Sequence, residues 1–185
     1  MSAVLFFSSD YPLEEIKNPH YRTFSVNEAL AFGVELPSFV LESETIDRDK
    51  PKTILWSALD MEKAIDPITR KVVDNGIEDD FSIRIVNDFT DMYTAKKYQA
   101  ALEWDVYSEK RAKHIVEYIR RHMEFTNELE IWHVWLSDHE VPIVHKVSIN
   151  LSDVTAETLR EIDEADFLGD PLPCYCWVIQ KKNNG

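Results

Sequence analysis

The sequence predicts an α+β domain: one mostly antiparallel sheet, open to mixed pairing, of about six to seven strands, with about three helices packed mainly on one face. Two observations point there. Apolar residues make up 44% of the 185-residue chain and aromatic residues 11%, enough apolar surface for a core without metals or cross-links. Short apolar runs with a period of two outnumber stretches with a helical period, and turn residues separate them.

The elements follow in order. Residues 3–8 read as a buried strand. Ser25-Val26-Asn27-Glu28 is a capping box, in which the Ser25 hydroxyl takes the free amide of Glu28 and the Glu28 carboxylate reaches back. The helix it opens ends near Phe32, and Gly33 supplies a left-handed cap. Residues 53–58 are apolar on both faces and belong at the centre of a sheet, while residues 60–65 form a helical turn or two stopped by Pro67. Asp74-Asn75-Gly76 is a tight-turn signal, and Glu78, Asp79 and Asp80 keep that loop wet.

Over residues 81–87, Phe81, Ile83 and Ile85 share one strand face. Over 98–106, Tyr98, Ala100, Leu102, Trp104 and Val106 face inward and Lys97, Gln99, Ala101, Glu103 and Asp105 face solvent. Such alternation predicts a sheet covered on one side only. Residues 108–124 form the clearest helix, because Ala112, Ile115, Val116, Ile119 and Met123 keep the spacing of one buried stripe. A hairpin over 129–136 and 141–149 turns at 137–140, which pairs Trp132 with His145 and sets His145 in the core. Thr155 caps a last helix, with Val154 and Leu159 forming a hydrophobic staple, and Pro171 and Pro173 lead into a closing strand over 174–180. Neither half looks able to close a core alone, so residues 1–185 read as one domain with a disordered tail at 181–185.

Thirty-four acidic against twenty basic residues leave a formal charge of −14. A field of that sign repels nucleic acid and anionic membranes and attracts basic proteins. Without a basic n-region before its first apolar run, without a bilayer-length apolar stretch, and with only Cys174 and Cys176, the chain reads as cytoplasmic. Those two thiols diverge along one strand and read as buried and inert.

Four glycines, at 33, 76, 169 and 185, build no Gly-rich phosphate loop, and no cofactor is expected. His139-Glu140 opens like a zinc-protease motif, but Ile143 stands at the fourth position and Pro142 breaks the helix, so no metal is expected either. His133, Glu103 and Asp105 are the candidate acid–base residues; Glu103 and Asp105 would stand roughly 7 Å apart on one strand face, although a solvated polar face explains them more simply. Lys110, Arg111, Lys113, Arg120 and Arg121 could bind an anion, but pairing of Glu109 with Lys113 and of Glu117 with Arg121 reads as self-neutralisation.

Three functions fit these features. The first is a non-enzymatic binding or regulatory protein for a basic partner, of the immunity-protein or nuclease-inhibitor type, using Asp74, Glu78, Asp79 and Asp80 or Glu157, Glu161 and Glu164. The second is a small hydrolase or transferase with a pocket of scattered polar residues. The third is a protein that self-associates into a homodimer through an open sheet face.

Overall fold

The apolar runs resolve, along the chain, into β1 (Ala3–Ser9), β2 (Tyr21–Phe24), α1 (Val26–Phe32), α2 (Ser38–Leu41), β3 (Ile54–Ser57), β4 (Ser82–Ile85), β5 (Tyr98–Glu103), α3 (Glu109–His122), β6 (Glu128–Trp135), β7 (Val144–Asn150), α4 (Ala156–Asp163) and β8 (Cys174–Gln180). They form a mixed six-stranded sheet in the order β4-β5-β1-β6-β8-β7 and a separate two-stranded sheet of β2 and β3. This is the α+β class that the sequence predicts. The computed structural model describes residues 3–59, 66, 68–69, 72–86, 92–135, 144–165 and 173–182. The expected turns at 60–65, the hairpin turn at 137–140 and residues 183–185 of the tail lie outside them.

The chain divides into two compact units, Met1–Lys17 with Asp74–Gly185, and Asn18–Val73. The second is thus inserted into the first, and the first resumes at the acidic loop. Within the larger unit the odd-numbered residues of β1 and β6 (Leu5, Phe7, Leu129, Ile131) face α3 and α4, and Trp177 and Ile179 of β8 join them. The α3 stripe of Ala112, Ile115, Val116, Ile119 and Met123 is buried as expected, and Leu159 and Ile162 of α4 extend the same cluster. Thr155 caps α4 through the Thr158 amide, and Val154 and Leu159 are both buried beside it.

Three expectations need correction here. The first concerns the hairpin: β8 lies between β6 and β7, pairing antiparallel with β6 and parallel with β7. β8 is apolar on both faces (Cys174, Cys176 and Val178 on one, Trp177 and Ile179 on the other) and so takes an inner position. The polar Val-His-Lys-Val-Ser-Ile-Asn of β7 goes to the edge, and α4 supplies the crossover that a parallel pair requires. Trp132 therefore stands beside Phe6 and Cys176, and His145 stands beside Tyr175, exposed and not in the core.

The second concerns the one-sided sheet. Gln99 and Ala101 are buried, and Phe6, Trp132, Val134, Cys174, Cys176 and Val178 form a second cluster on the face away from α3 and α4. Alternation reports two faces but not whether both are covered. The third concerns residues 53–58, whose core forms β3 of the two-stranded sheet, paired with β2 from Tyr21↔Ser57 to Phe24↔Ile54. Leu55 is 68% exposed there, so this short apolar run is not the centre of a large sheet.

In the inserted unit the capping box forms as the sequence predicts. Ser25 Oγ accepts from the Glu28 amide at 3.2 Å, the Glu28 carboxylate accepts from the Ser25 amide at 2.7 Å, and Gly33 closes α1 at φ 88°. Val26 and Ala29 are buried, while Phe32 stacks on Phe24 and meets Trp56 edge-on.

Candidate functional site

The residues proposed for acid–base chemistry are kept apart by the fold. His133 lies on the helix-facing side of β6, opposite Leu5 and Tyr175, buried; burial lowers its pKa, against a backbone hydrogen bond with Ile162. Glu103 ends β5 on the other side of the sheet, accepting from Ser82 Oγ at 2.7 Å and from Arg84 Nε at 2.9 Å. Asp105 lies beyond the strand end, in the bend before α3. None of the three lines the cleft between α3 and α4.

The acids proposed for partner binding are largely engaged within the chain. Arg111, on the α3 stripe and 1% exposed, donates to Asp74, to Asn75 Oδ1 at 3.0 Å and to the Ile77 carbonyl at 2.9 Å. Asp80 is buried and accepts from Asn75 Nδ2 at 2.6 Å. A loop that reads as a wet acidic surface is thus folded over a buried guanidinium, which needs those acceptors because an unpaired buried charge is costly. Asp79 stays exposed, as does Glu78, 4.0 Å from His114. On α4, Arg160 pairs with Glu157 at 3.5 Å and Glu164 at 3.0 Å, while Glu161 is exposed without an ion-pair partner among the described residues.

Of these, Glu157 and Arg160 border the cleft of about 660 Å³ between α3 and the start of α4. The buried stripes set the helix faces, so apart from Val116 the helices line the cleft mainly with what those stripes leave outside: Glu109, Lys113, Glu117 and Arg120 from α3, Glu157 and Arg160 from α4. Tyr107 Oη, just before α3, donates to the Ala156 carbonyl at 3.3 Å, and Arg120, in the last turn of α3, donates to the Val154 carbonyl at 3.2 Å, which ties α3 to the start of α4. Burial raises the Tyr107 pKa, and Glu157 and Glu109 add to it. The hydrogen bond from Lys113 holds the Glu109 carboxyl below the usual carboxylate range. The Glu109–Lys113 pair forms at 2.7 Å as expected, whereas Glu117 and Arg121 do not pair. The cleft can hold charged groups of either sign, but it brings no nucleophile to a general base.

The most elaborate polar arrangement is on the opposite sheet face, where Glu130 Oε2 accepts from Ser8 Oγ at 2.9 Å, Thr94 Oγ1 at 2.8 Å and Trp132 Nε1 at 2.9 Å. Lys146 Nζ reaches Oε1 at 3.3 Å from β7. Burial by itself would raise the Glu130 pKa, but the three donors and Lys146 outweigh it and hold the carboxyl below its ordinary value. The adjacent Cys176 thiol is pushed up to about 12 by burial and by the Glu130 charge, and Cys174 is also raised by burial, so both remain inert thiols.

Sequence reasoning missed Glu130 and the buried His122–Ser9 contact at 2.8 Å, and it placed Arg111 among the basic residues that could bind an anion, not in the core. A signal existed for each. Glu130 stands between Leu129 and Ile131-Trp132 in a strand of bulky apolar residues, and Arg111 and His122 continue the 3.6-residue stripe of α3 beyond its aliphatic members.

Among the described residues no group of three or more His, Cys, Asp or Glu side chains is placed to hold a metal ion, and no helix is long and apolar enough to cross a membrane. Comparison with protein-family models, with curated proteins and with solved structures finds no match.

Proposed function

We propose that the larger unit is a binding module for a basic protein, acting as an inhibitor or regulator and not through chemistry of its own. The observation that carries this reading is where the charge lies. Met1–Lys17 with Asp74–Gly185 contains 25 acidic and 13 basic residues, and Asn18–Val73 contains nine and seven. An excess so concentrated steers a basic partner toward one part of the chain. The α4 surface is the favoured contact: Glu157 and Glu164 are 62% and 59% exposed although they share Arg160, and Glu161 stands open beside them.

The test is the salt dependence of association with a captured partner. Raising ionic strength from ~0.01 to ~0.15 M shortens the screening length from about 30 to about 8 Å. The association rate is expected to fall at least about tenfold, with less change in dissociation. Replacing Glu157, Glu161 and Glu164 together by Gln is expected to slow association further. A partner that is itself acidic, or an association rate indifferent to salt, overturns the reading.

A further inference from the structure

The six-stranded sheet has two edges, and they are protected differently. β4 is four residues long, and Ile16 bridges to its Ile83, so the chain itself covers part of that edge. β7 is seven residues long, pairs with β8 in an unbroken register from Val144↔Cys174 to Asn150↔Gln180, and contains no proline or bulge. Among the described residues nothing pairs with its outer side. Six of its seven residues are exposed, including Val144 at 43% and Val147 at 46%. Natural sheets blunt such an edge with outward charge, proline or a covering segment. Here the only charged side chain, Lys146, reaches inward to Glu130, and His145 stacks on Tyr175 with ring centroids 5.2 Å apart. In a chain of net charge −14, β7 has no acidic residue.

We infer that the outer edge of β7 pairs with β7 of a second copy of this chain, antiparallel about a two-fold axis at Val147. That register sets Val147 opposite Val147, Lys146 opposite Ser148, His145 opposite Ile149 and Val144 opposite Asn150. No like charges face each other, which is what cross-strand pairing requires and what an interface between two strongly acidic chains most needs. The pairing satisfies a row of backbone amides and carbonyls, and it covers two valines whose exposure nothing else in the strand explains. It is independent of the basic-partner reading, and salt separates the two. Screening relieves the repulsion between two acidic copies, so self-pairing strengthens with ionic strength while binding of a basic partner weakens.

Sedimentation of the full chain from micromolar to millimolar concentration, at low and physiological salt, provides the test. A reversible dimer favoured by salt is expected. Val147→Lys puts two ammonium groups face to face at the axis and is expected to weaken dimerisation at least about tenfold, with the far-ultraviolet spectrum unchanged. Val147→Cys decides the register even if the lysine variant folds poorly. Under mild oxidation it is expected to form a covalent dimer, whereas Val144→Cys does not, because its two copies lie at opposite ends of the paired segment. A chain monomeric throughout, a dimer indifferent to Val147→Lys, or cross-linking at Val144 in place of Val147 overturns the inference. So does a Val147→Lys effect seen only on capture of a different protein, which would assign the edge to that protein.

Discussion

The two faces of the six-stranded sheet are built from the same strands but closed by different physics. On the face toward α3 and α4, Leu5, Phe7, Ile131, Ile115, Ile119 and Leu159 form a continuous apolar layer, whose stability scales with the area removed from water. On the other face a smaller cluster around Phe6, Trp132 and Cys176 borders the Glu130 network. There a buried carboxylate ties β1, β6, β7 and the segment carrying Thr94 together. Apolar contacts tolerate small displacements, whereas three donors converging on one oxygen require one register. The first face therefore contributes mostly to stability, and the second to the choice of strand partners.

That contrast can be broken by substitution. Ile119→Ala on the helix-covered face is expected to cost about 2–5 kcal/mol, the usual range for a fully buried aliphatic, measured by denaturant unfolding. A loss under about 1 kcal/mol would mean that the α3 stripe is not the main core.

Glu130→Gln on the other face keeps the shape but removes the charge, and is expected to cost about 1–3 kcal/mol. Its pH dependence sharpens the comparison. The folded pKa of Glu130 lies below the unfolded value, so its contribution is complete above the ordinary carboxylate range and is lost as pH falls through the folded value. The gap in unfolding midpoint between the native chain and Glu130→Gln should therefore close in acid. The corresponding gap for Ile119→Ala should not. A Glu130 gap that widened in acid would show that the carboxyl is not held ionised by Ser8, Thr94, Trp132 and Lys146.

The smallest effect is expected for Glu103→Gln, at the solvent end of β5. Its partner Arg84 sits at 2.9 Å, but the two side chains are 48% and 58% exposed. Such a pair contributes about 0–1 kcal/mol, less at high salt. A cost equal to that of Glu130→Gln would mean that exposure does not distinguish the polar groups of this face.

What was legible in the sequence was local. The Ser25–Glu28 capping box, the Gly33 cap, the α3 stripe and the Thr155 cap depend on residues within a turn or two of one another, and all four are present. The α+β class followed from counting such elements. Of the candidate site, the sequence indicated an acidic surface on α4 and a basic excess on α3, but not that the two helices border one cleft. Nor did it indicate that Arg111 of that same basic run turns inward to hold Asp74.

The sequence by itself determined which residues must leave water and where helices start and stop, because periodicity and capping act over a few residues. Only the tertiary structure decided the neighbours. It inserted β8 between β6 and β7, placed His145 on an edge and not in the core, folded the 74–80 loop over Arg111, and gathered Ser8, Thr94, Trp132 and Lys146 around Glu130. The physical reason is that an apolar period states that a face is buried without stating against what. Strand order is chosen by the competition of whole strands for the inner positions, which β8, apolar on both faces, won over β7.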